Sequence, residues 1–184
     1  MASSSARQLI LLRHAKSSWP DVPDHERPLA GRGRRDAPAA GRWLRESGHV
    51  PDRVACSTAK RARETWNLAE EALDAHPRTT FEERVYGATP AELLELARET
   101  SSTVRTLMIV GHEPAMRNLT LELAGAPSAN GANHAFERVT AKFPTAAIAV
   151  LAFDGDWPEL APGQAHLADF AVPSDFRSHT HGQG

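Results

Sequence analysis

The stretch Leu9-Ile10-Leu11-Leu12-Arg13-His14 decides the fold, because an apolar run of strand length ends abruptly in an arginine and a histidine. A short continuous apolar run is typical of a strand that is buried on both faces of a parallel sheet. Two similar runs end at Cys56 and Val110, and they lead to Arg61 and His112 respectively. A helical pattern follows each run, so the sequence predicts repeated strand–helix units.

Three strand ends of this kind are expected to meet at one edge of a sheet. In open α/β sheets, ligands bind outside the carboxyl ends of the strands. The side chains supplied there are Arg13, His14, Arg61 and His112. Guanidinium groups bind phosphoryl oxygens bidentately, and a neutral imidazole can act as a covalent nucleophile. Although a single histidine after a strand is more often structural, the combined set predicts a phosphate site that contains a nucleophile.

Length and composition fit one domain with its own core, since 41% of the 184 residues are hydrophobic and 24% are charged. The net charge of −2 argues against general binding to nucleic acids or membrane surfaces. A single cysteine cannot form an internal disulfide, which favours a reducing compartment. Residues 1–8 lack the apolar core of a signal peptide, and no apolar run approaches the ~20 residues of a membrane helix. We expect a cytoplasmic protein with one domain over residues 1–184 and flexible tails at 1–7 and 174–184.

Alternating strand and helix patterns predict an α/β fold: three layers, doubly wound, with a mostly parallel sheet flanked by helices. The predicted strands are Gln8–Arg13, Arg53–Cys56, Thr80–Val85, Thr106–Val110, Ala146–Phe153 and Ala165–Val172. The predicted helices are Asp36–Ser47, Lys60–Leu73, Pro90–Glu99 with Thr89 as its cap, and Glu113–Ala124. At the first helix, an earlier helix that is kinked at Pro38 is favoured over a cap at Asp36 with Pro38 in the first turn. Ala126–Phe143 is interpreted as a long polar loop.

Three motifs resemble those of the histidine phosphatase superfamily, which includes the phosphoglycerate mutases. Leu12–Ala15 resembles the Arg-His-Gly signature, Ser57–Thr65 resembles the second motif, and Val110–Glu113 resembles the third. Within the superfamily, the short chain, Arg27–Leu29 and Gly111–Pro114 are similar to the small bacterial phosphohistidine phosphatases. The resemblance implies a phosphoglycerate mutase-like fold. It also implies that His14 is the nucleophile and that the phosphate ligands are Arg13, Arg61 and His112.

The sequence departs from the mutase pattern close to the first motif. Ala15 stands where the mutases have glycine, and Lys16 stands where many have glutamate. Pro20 falls at the place of an asparagine that contacts phosphate, and a proline side chain has no donor. The candidates to replace that contact are Lys16, Ser17 and Ser18.

The stretch Arg84–Ala88 has no carboxylate at the place where the mutases carry the acid that protonates the leaving oxygen. An alkoxide leaving group needs a positioned proton donor, whereas a phosphorylated imidazole can already hold a proton on its ring. The missing acid therefore favours cleavage of a P–N bond over a P–O bond. Other candidate donors are Asp21, Asp24 and His25 on the first loop, and Glu82 and Glu83, for which a surface role is favoured.

Other chemistry-bearing residues have simpler interpretations. Cys56 and Arg61 are too close in sequence for a cysteine-phosphatase loop, so a buried core thiol is favoured. His179 and His181 lie in the tail without neighbouring acids or cysteines, so no metal site is predicted. No cofactor is expected.

The predicted function is a metal-independent phosphatase that hydrolyses phosphohistidine on a protein through a phosphohistidine intermediate. The short connection from Asp74 to Ala88 leaves little sequence for a lid, which favours a protein substrate. His112 is expected to be at least partly protonated so that it can act as a cation. Two alternatives remain open. One is a phosphatase of small phosphomonoesters or sugar phosphates, and the other is a phosphate-dependent binding module with little catalysis.

Overall fold

Six strands form a single sheet with the spatial order β3-β2-β4-β1-β5-β6 in the computed structural model, which describes residues 6–125 and 133–178. The strands are β1 (Arg7–Arg13), β2 (Arg53–Ser57), β3 (Arg78–Glu82), β4 (Thr106–Gly111), β5 (Ile148–Phe153) and β6 (His166–Ala171). The first four pair in parallel, whereas β5 is antiparallel to both β1 and β6. The predicted mostly parallel sheet is therefore confirmed.

Helices cover both faces of this sheet. They are α1 (Gly31–Glu46), α2 (Lys60–Leu73), α3 (Pro90–Arg98), α4 (Ala115–Ala124), α5 (Asn133–Ala141) and α6 (Pro173–Ser178). Leu9 and Leu11 of β1 belong to the core cluster that contains residues of α3 and α4, while Ile10 and Leu12 pack in the opposite cluster with α1 and α2. The continuous apolar run of β1 is thus buried on both faces, as its composition predicts.

Helix α1 begins before the predicted boundary, at Gly31 rather than Asp36, and it contains Pro38. The earlier start of the helix is therefore confirmed, whereas the kink at Pro38 stays a prediction. Gly33 permits this helix to lie against the loop that follows β1, since a Cβ atom at Gly33 would lie 2.2 Å from the carbonyl oxygen of Lys16.

The region around β3 follows the prediction only in part. Thr89 caps α3 as expected, with a capping box in which Thr89 and Glu92 each accept a hydrogen bond from the other's backbone N–H. The predicted strand Thr80–Val85 is wrong at both ends, because β3 begins at Arg78 and ends at Glu82, and a 3₁₀ turn occupies Glu83–Val85. This turn buries Val85, which is 2% exposed, in the core beneath α3.

Two segments that the sequence analysis left irregular contain helices. The polar-loop interpretation of 126–143 is wrong from Asn133 to Ala141, which form α5, and residues 126–132 lie outside the described part. Val139 of α5 and Phe143, two residues beyond its end, are buried in the core, so few apolar side chains anchor this polar helix.

Ordered elements also extend into both of the tails that were predicted to be flexible. Phe176 of α6 packs on Trp43 of α1, with ring centroids 6.3 Å apart. The expected flexible tail from Ser174 is therefore wrong as far as Ser178. At the other end, β1 already begins at Arg7. Residues 1–5 and 179–184 lie outside the described part. In the described ranges, no helix has the length and apolar character needed to cross a membrane.

Candidate active site

The carboxyl ends of three central strands meet because β4 lies between β1 and β2. Arg13 at the end of β1 is in register with Gly111 at the end of β4, and the backbone N–H of His14 donates to the Gly111 carbonyl at 3.0 Å. Ser57 ends β2 on the other side of β4. This topology brings together the four residues that we call the cationic edge, namely Arg13, His14, Arg61 and His112.

His14 is held as a neutral imidazole with one defined tautomer. Its side chain lies 2.8 Å, through Nδ1, from the carbonyl oxygen of Ala15. Because a carbonyl oxygen only accepts, Nδ1 must carry the proton, which leaves the lone pair on Nε2. The pKa of His14 is lowered to about 3, mainly by burial and also by the charges of His112, Arg13 and Arg61. The hydrogen bond to Ala15 has the opposite effect and raises the pKa, but it does not offset the burial. At neutral pH the residue therefore offers an unprotonated Nε2.

The loop after His14 is tied to helix α2. The backbone N–H of Ala15 donates to Thr65 Oγ1 at 2.9 Å, and the Thr65 hydroxyl donates to the Arg61 carbonyl at 2.7 Å. Thr65 is fully buried, so these bonds are shielded from water. They fix the first motif relative to the helix that carries Arg61.

His112 lies against His14, with ring centroids 5.2 Å apart. Its Nε2 atom is 2.7 Å from Ser57 Oγ. Burial, and secondarily the charge of Arg61, lower the pKa of His112 to about 4. The expectation that His112 is partly protonated is therefore wrong for the protein alone. A phosphate anion bound beside it would act in the opposite direction and raise its pKa.

Buried nitrogen atoms without partners concentrate at this edge. Among the described residues, buried side-chain polar atoms that lack a hydrogen-bond partner are found at four places: Arg7 Nε, Arg13 Nε, Arg61 Nε and His112 Nδ1. Three of the four belong to the cationic edge. Buried polar groups are nearly always hydrogen-bonded in proteins, and phosphoryl oxygens are acceptors of suitable charge for such nitrogens.

Arg13 is oriented by the backbone instead of by an ion pair. One of its terminal nitrogens donates to the Phe143 carbonyl at 2.9 Å. Burial lowers the pKa of Arg13, while the nearby charge of Glu113 opposes that effect. Glu113 itself accepts a hydrogen bond from the backbone N–H of Arg117 at the start of α4. The site therefore contains an arginine whose charge remains available to a ligand.

Arg61 contacts Asp24, a residue of the first loop. Its guanidinium donates to the Asp24 carbonyl at 2.8 Å and to Oδ2 at 3.1 Å. Arg27 Nε donates to Oδ1 at 3.0 Å, and the Tyr86 hydroxyl donates to Oδ2 at 2.5 Å. The hydrogen bond from Tyr86, followed by those from the two arginines, holds the pKa of Asp24 well below its ordinary range. Asp24 is thus an ionised acceptor and not a proton donor.

The other candidate phosphate ligands, Lys16, Ser17 and Ser18, lie on the loop that follows β1 and differ in their exposure and hydrogen bonds. Lys16 is exposed, and Ser18 Oγ lies 3.4 Å from the Pro28 carbonyl. Ser17 is buried and its Oγ accepts a hydrogen bond from Arg27 at 2.9 Å. Ser17 therefore positions Arg27, which in turn contacts Asp24.

The remaining candidate proton donors are distributed around the site. His25 lies at its mouth, where Nε2 is 2.9 Å from Thr58 Oγ1 and the ring packs edge-on against Tyr86. Asp21 and Glu83 are exposed. Glu82 lines a separate cavity, the β3 pocket, whose other lining residues include Arg53, Arg84, Leu96 and Glu99.

Sequence reasoning missed the roles of Ser57, Arg27 and Tyr86 in supporting the cationic edge. Ser57 stands within the second motif, and Arg27 within the Arg-Pro-Leu element, so both had a signal. Tyr86 is the single tyrosine of the chain, but nothing in its local pattern indicates a contact with Asp24, 62 residues earlier.

Cys56 is fully buried, and burial raises the pKa of its thiol, so it stays protonated and unreactive. Across residues 6–125 and 133–178, no three His, Cys, Asp or Glu side chains cluster in a way that could hold a metal ion. His179 and His181 lie outside the described residues. The absence of a metal site stays a prediction.

A neutral histidine among arginines, at the carboxyl edge of a mostly parallel sheet, is an arrangement suited to binding a phosphate group in an α/β protein. Comparison with known families makes this specific. The model of the histidine phosphatase superfamily (branch 1) matches residues 9–100, which is half of the 184-residue chain. The chain therefore belongs to the histidine phosphatase superfamily.

Relatives and solved structures agree with this assignment. The uncharacterized protein Rv1276c of Mycobacterium tuberculosis is 46% identical over 163 residues, which cover 88% of this chain and 99% of the relative. A candidate phosphohistidine phosphatase SixA from Nakamurella multipartitia has a TM-score of 0.78 and 32% identity, covering 91% of this chain and 96% of that one. A second candidate SixA, from Agrobacterium tumefaciens, has a TM-score of 0.74 and 28% identity, covering 91% and 98%. These similarities confirm the predicted phosphoglycerate mutase-like fold and support a phosphatase.

Proposed function

We propose that the protein is a phosphatase that removes the phosphoryl group from phosphohistidine on a protein substrate. The observation that carries this proposal is the state of His14, whose neutral ring presents an unprotonated Nε2 beside two arginines. Such a group can attack phosphorus while cations stabilise the charge on the phosphoryl oxygens. A cytoplasmic location and a phosphorylated protein partner remain our predictions.

The reaction has two displacement steps, and neither requires a metal. In the first, His14 Nε2 attacks phosphorus in line, a new P–N bond forms, and the bond to the substrate ring nitrogen breaks. In the second, water attacks the phosphorylated His14, inorganic phosphate leaves, and the electron pair of the broken bond returns to Nε2. In both steps Arg13, Arg61 and His112 contact the phosphoryl oxygens.

The carboxyl groups near the site are not placed to donate a proton, which favours P–N cleavage. Asp24 is ionised by its contacts with Arg61 and Tyr86, so it has no proton to give to an alkoxide. Glu113 accepts from the Arg117 backbone, which orients it toward the start of α4. A phosphorylated imidazole leaves without a new proton because its ring already holds one.

An open groove beside the site supports a protein substrate. The groove, of about 720 Å³, begins at His25 and Thr58 at the mouth and continues along helix α2. It is lined by His25, Thr58, Lys60, Arg63, Glu64, Asn67 and Phe81. Phe81, which lines the groove, is 48% exposed. An exposed aromatic side chain in a groove suits contact with the chain on either side of a phosphohistidine.

The test compares kcat/KM for a phosphohistidine peptide with kcat/KM for glycerate and sugar phosphates. We expect the peptide to be preferred by about 100-fold or more, because only its leaving group departs without an acid. A preference for a phosphomonoester would contradict the proposal. Binding of phosphopeptide without turnover above the His14→Ala variant would instead indicate a binding module.

Hydrolysis of small phosphomonoesters is the second candidate, and His25 is the observation that favours it. Its imidazole lies at the mouth of the site against Tyr86 and Thr58, and an imidazole is a common general acid in catalysis. If this function is correct, His25→Gln should lower phosphomonoester turnover and leave phosphohistidine turnover unchanged.

A further inference from the structure

We infer that Asp24 determines the specificity of this site, because its carboxylate accepts a hydrogen bond from the imidazolium ring of the substrate phosphohistidine. The inference rests on the proposed function and names the residue that separates P–N from P–O substrates. It assigns to Asp24 a contact with the leaving group, in addition to its bonds within the protein.

The position of Asp24 fits a contact with the leaving group. His14 lies at the closed end of the site and is 7% exposed, whereas the Asp24 side chain is 50% exposed. An in-line displacement places the leaving group on the side of phosphorus opposite the nucleophile. Because the nucleophile lies inside, the leaving group lies toward the mouth, where Asp24 is joined to Arg61 and Tyr86.

The carboxylate retains acceptor capacity in this arrangement. An ionised carboxylate has about four lone-pair positions and no donor. Three are occupied, by Arg61 and Tyr86 at Oδ2 and by Arg27 at Oδ1. All three partners donate, so the carboxylate is ionised on geometric grounds, and its half-exposed side chain can accept one further hydrogen bond.

The chemistry of the leaving group matches such an acceptor. In a protonated phosphohistidine, one ring nitrogen carries phosphorus and the other carries a proton. The second nitrogen donates its N–H to Asp24, and the carboxylate stabilises the positive ring. When the P–N bond breaks, its electron pair returns to the first nitrogen and the ring becomes neutral. The proton stays on the second nitrogen throughout, so Asp24 neither gains nor loses one.

With a phosphomonoester, the leaving group beside Asp24 develops the opposite charge. When its P–O bond breaks, the electron pair remains on oxygen, which develops negative charge close to the Asp24 carboxylate. That carboxylate cannot donate a proton, and like charges repel. One residue thus assists the imidazole leaving group and opposes the alkoxide.

Other charged or titratable groups also surround Asp24. Arg61 reaches it from α2, Tyr86 from the turn after β3, and Arg27 from the loop that also carries His25. His112 after β4 lies within electrostatic range. The same variants are therefore also measured with a phosphomonoester, whose leaving group has no imidazole ring. A pH effect that appears only with the peptide comes from the substrate ring and not from these protein groups.

The test replaces Asp24 by asparagine in the full-length protein, with Asp21→Asn as a matched control on the same loop. The substrates are a phosphohistidine peptide and p-nitrophenyl phosphate, whose leaving group departs without a proton donor. Asp24→Asn should lower kcat/KM for the peptide by about 10- to 100-fold, because a charge-assisted hydrogen bond becomes a neutral one. Its kcat/KM for p-nitrophenyl phosphate should instead rise by about two- to fivefold, because the negative charge that repels the departing phenolate is removed. Asp21→Asn should leave both values unchanged.

The pH profile gives a readout that a purely structural role would not change. The negative charge of Asp24 raises the pKa of the bound substrate ring, so its removal should shift the alkaline limb of the peptide profile to lower pH. Equal losses on both substrates, or an unchanged peptide profile, would overturn the inference while leaving the proposed function intact. A wild-type protein that does not cleave the peptide would overturn both.

Discussion

The cationic edge and the β3 pocket both contain arginine, but the two arginines have opposite surroundings. In the β3 pocket, Arg84 is half exposed and forms ion pairs with Glu99 at 3.0 Å and Glu82 at 3.7 Å. At the cationic edge, Arg13 donates to the Phe143 carbonyl and keeps a buried nitrogen without a partner. A guanidinium neutralised by two carboxylates has little charge to offer an anion, whereas a guanidinium held by a carbonyl remains a cation. The difference predicts which of the two sites binds phosphate.

The largest effect is expected when His14, the proposed nucleophile of the cationic edge, is removed. His14→Ala should lower kcat on the phosphohistidine peptide by about 1,000-fold or more, because no other group supplies the covalent step. Steady-state kinetics at pH 7 measures this. His76→Ala, which removes a highly exposed histidine, is the matched control and should retain wild-type kcat.

The second prediction tests the comparison itself by changing one arginine in each region. Arg13→Ala should lower kcat/KM by about 100- to 1,000-fold, because it removes a donor to the transferring phosphoryl group. Arg84→Ala should leave kcat/KM unchanged, since its charge is already paired with Glu82 and Glu99. Similar losses in both variants would show that the surroundings of the arginines do not decide phosphate binding.

A smaller effect is expected at Ser57, which contacts the edge through His112. Ser57→Ala removes the hydroxyl 2.7 Å from His112 Nε2 and should lower kcat/KM by about tenfold, the effect of one hydrogen bond. The control is Ser101→Ala, which removes an exposed hydroxyl. If Ser57→Ala is indistinguishable from that control, Ser57 does not orient His112.

The last prediction concerns the stability of the fold and its dependence on pH, and no loss of activity is measured in it. In the folded protein, burial lowers the pKa of His14 to about 3, below the ordinary value near 6.5 of an unfolded chain. The unfolded state therefore takes up the proton first, and stability is lost as the pH falls below about 6.5. Between pH 7 and 5, the free energy of unfolding should fall by about 1 to 2 kcal/mol less in His14→Gln than in wild type. Urea titrations measure this, and equal pH dependence would mean that the pKa of His14 is the same in the folded and unfolded states.

Much of the fold was predictable from local patterns. The run Leu9–Leu12 is apolar on both faces of β1, and the strand–helix alternation after it predicts the parallel sheet. Helices α5 and α6 were missed because their burial rests on few apolar side chains. Val139, Phe143 and Phe176 are buried only against distant parts of the chain, and polar residues surround them in sequence.

In the candidate site, too, the residues at strand ends could be predicted from the sequence, whereas contacts between residues far apart in the chain could not. Arg13, His14 and His112 follow strand ends directly, so the topology alone brings them together. The contacts of Asp24 with Arg61 and Tyr86 span 37 and 62 residues and depend on how the first loop folds back. The protonation of His112 was predicted incorrectly because the sequence does not show how deeply its ring is buried. In the protein alone, this burial lowers the pKa of His112.

The most direct test is whether His14 becomes phosphorylated during turnover. The protein is incubated briefly with a ³²P-labelled phosphohistidine peptide and quenched in alkali, which preserves phosphohistidine but hydrolyses acyl phosphates. We predict that the label is found on Nε2 of His14 and that His14→Ala incorporates none. If His14→Ala retains as much label as wild type, His14 is not the nucleophile.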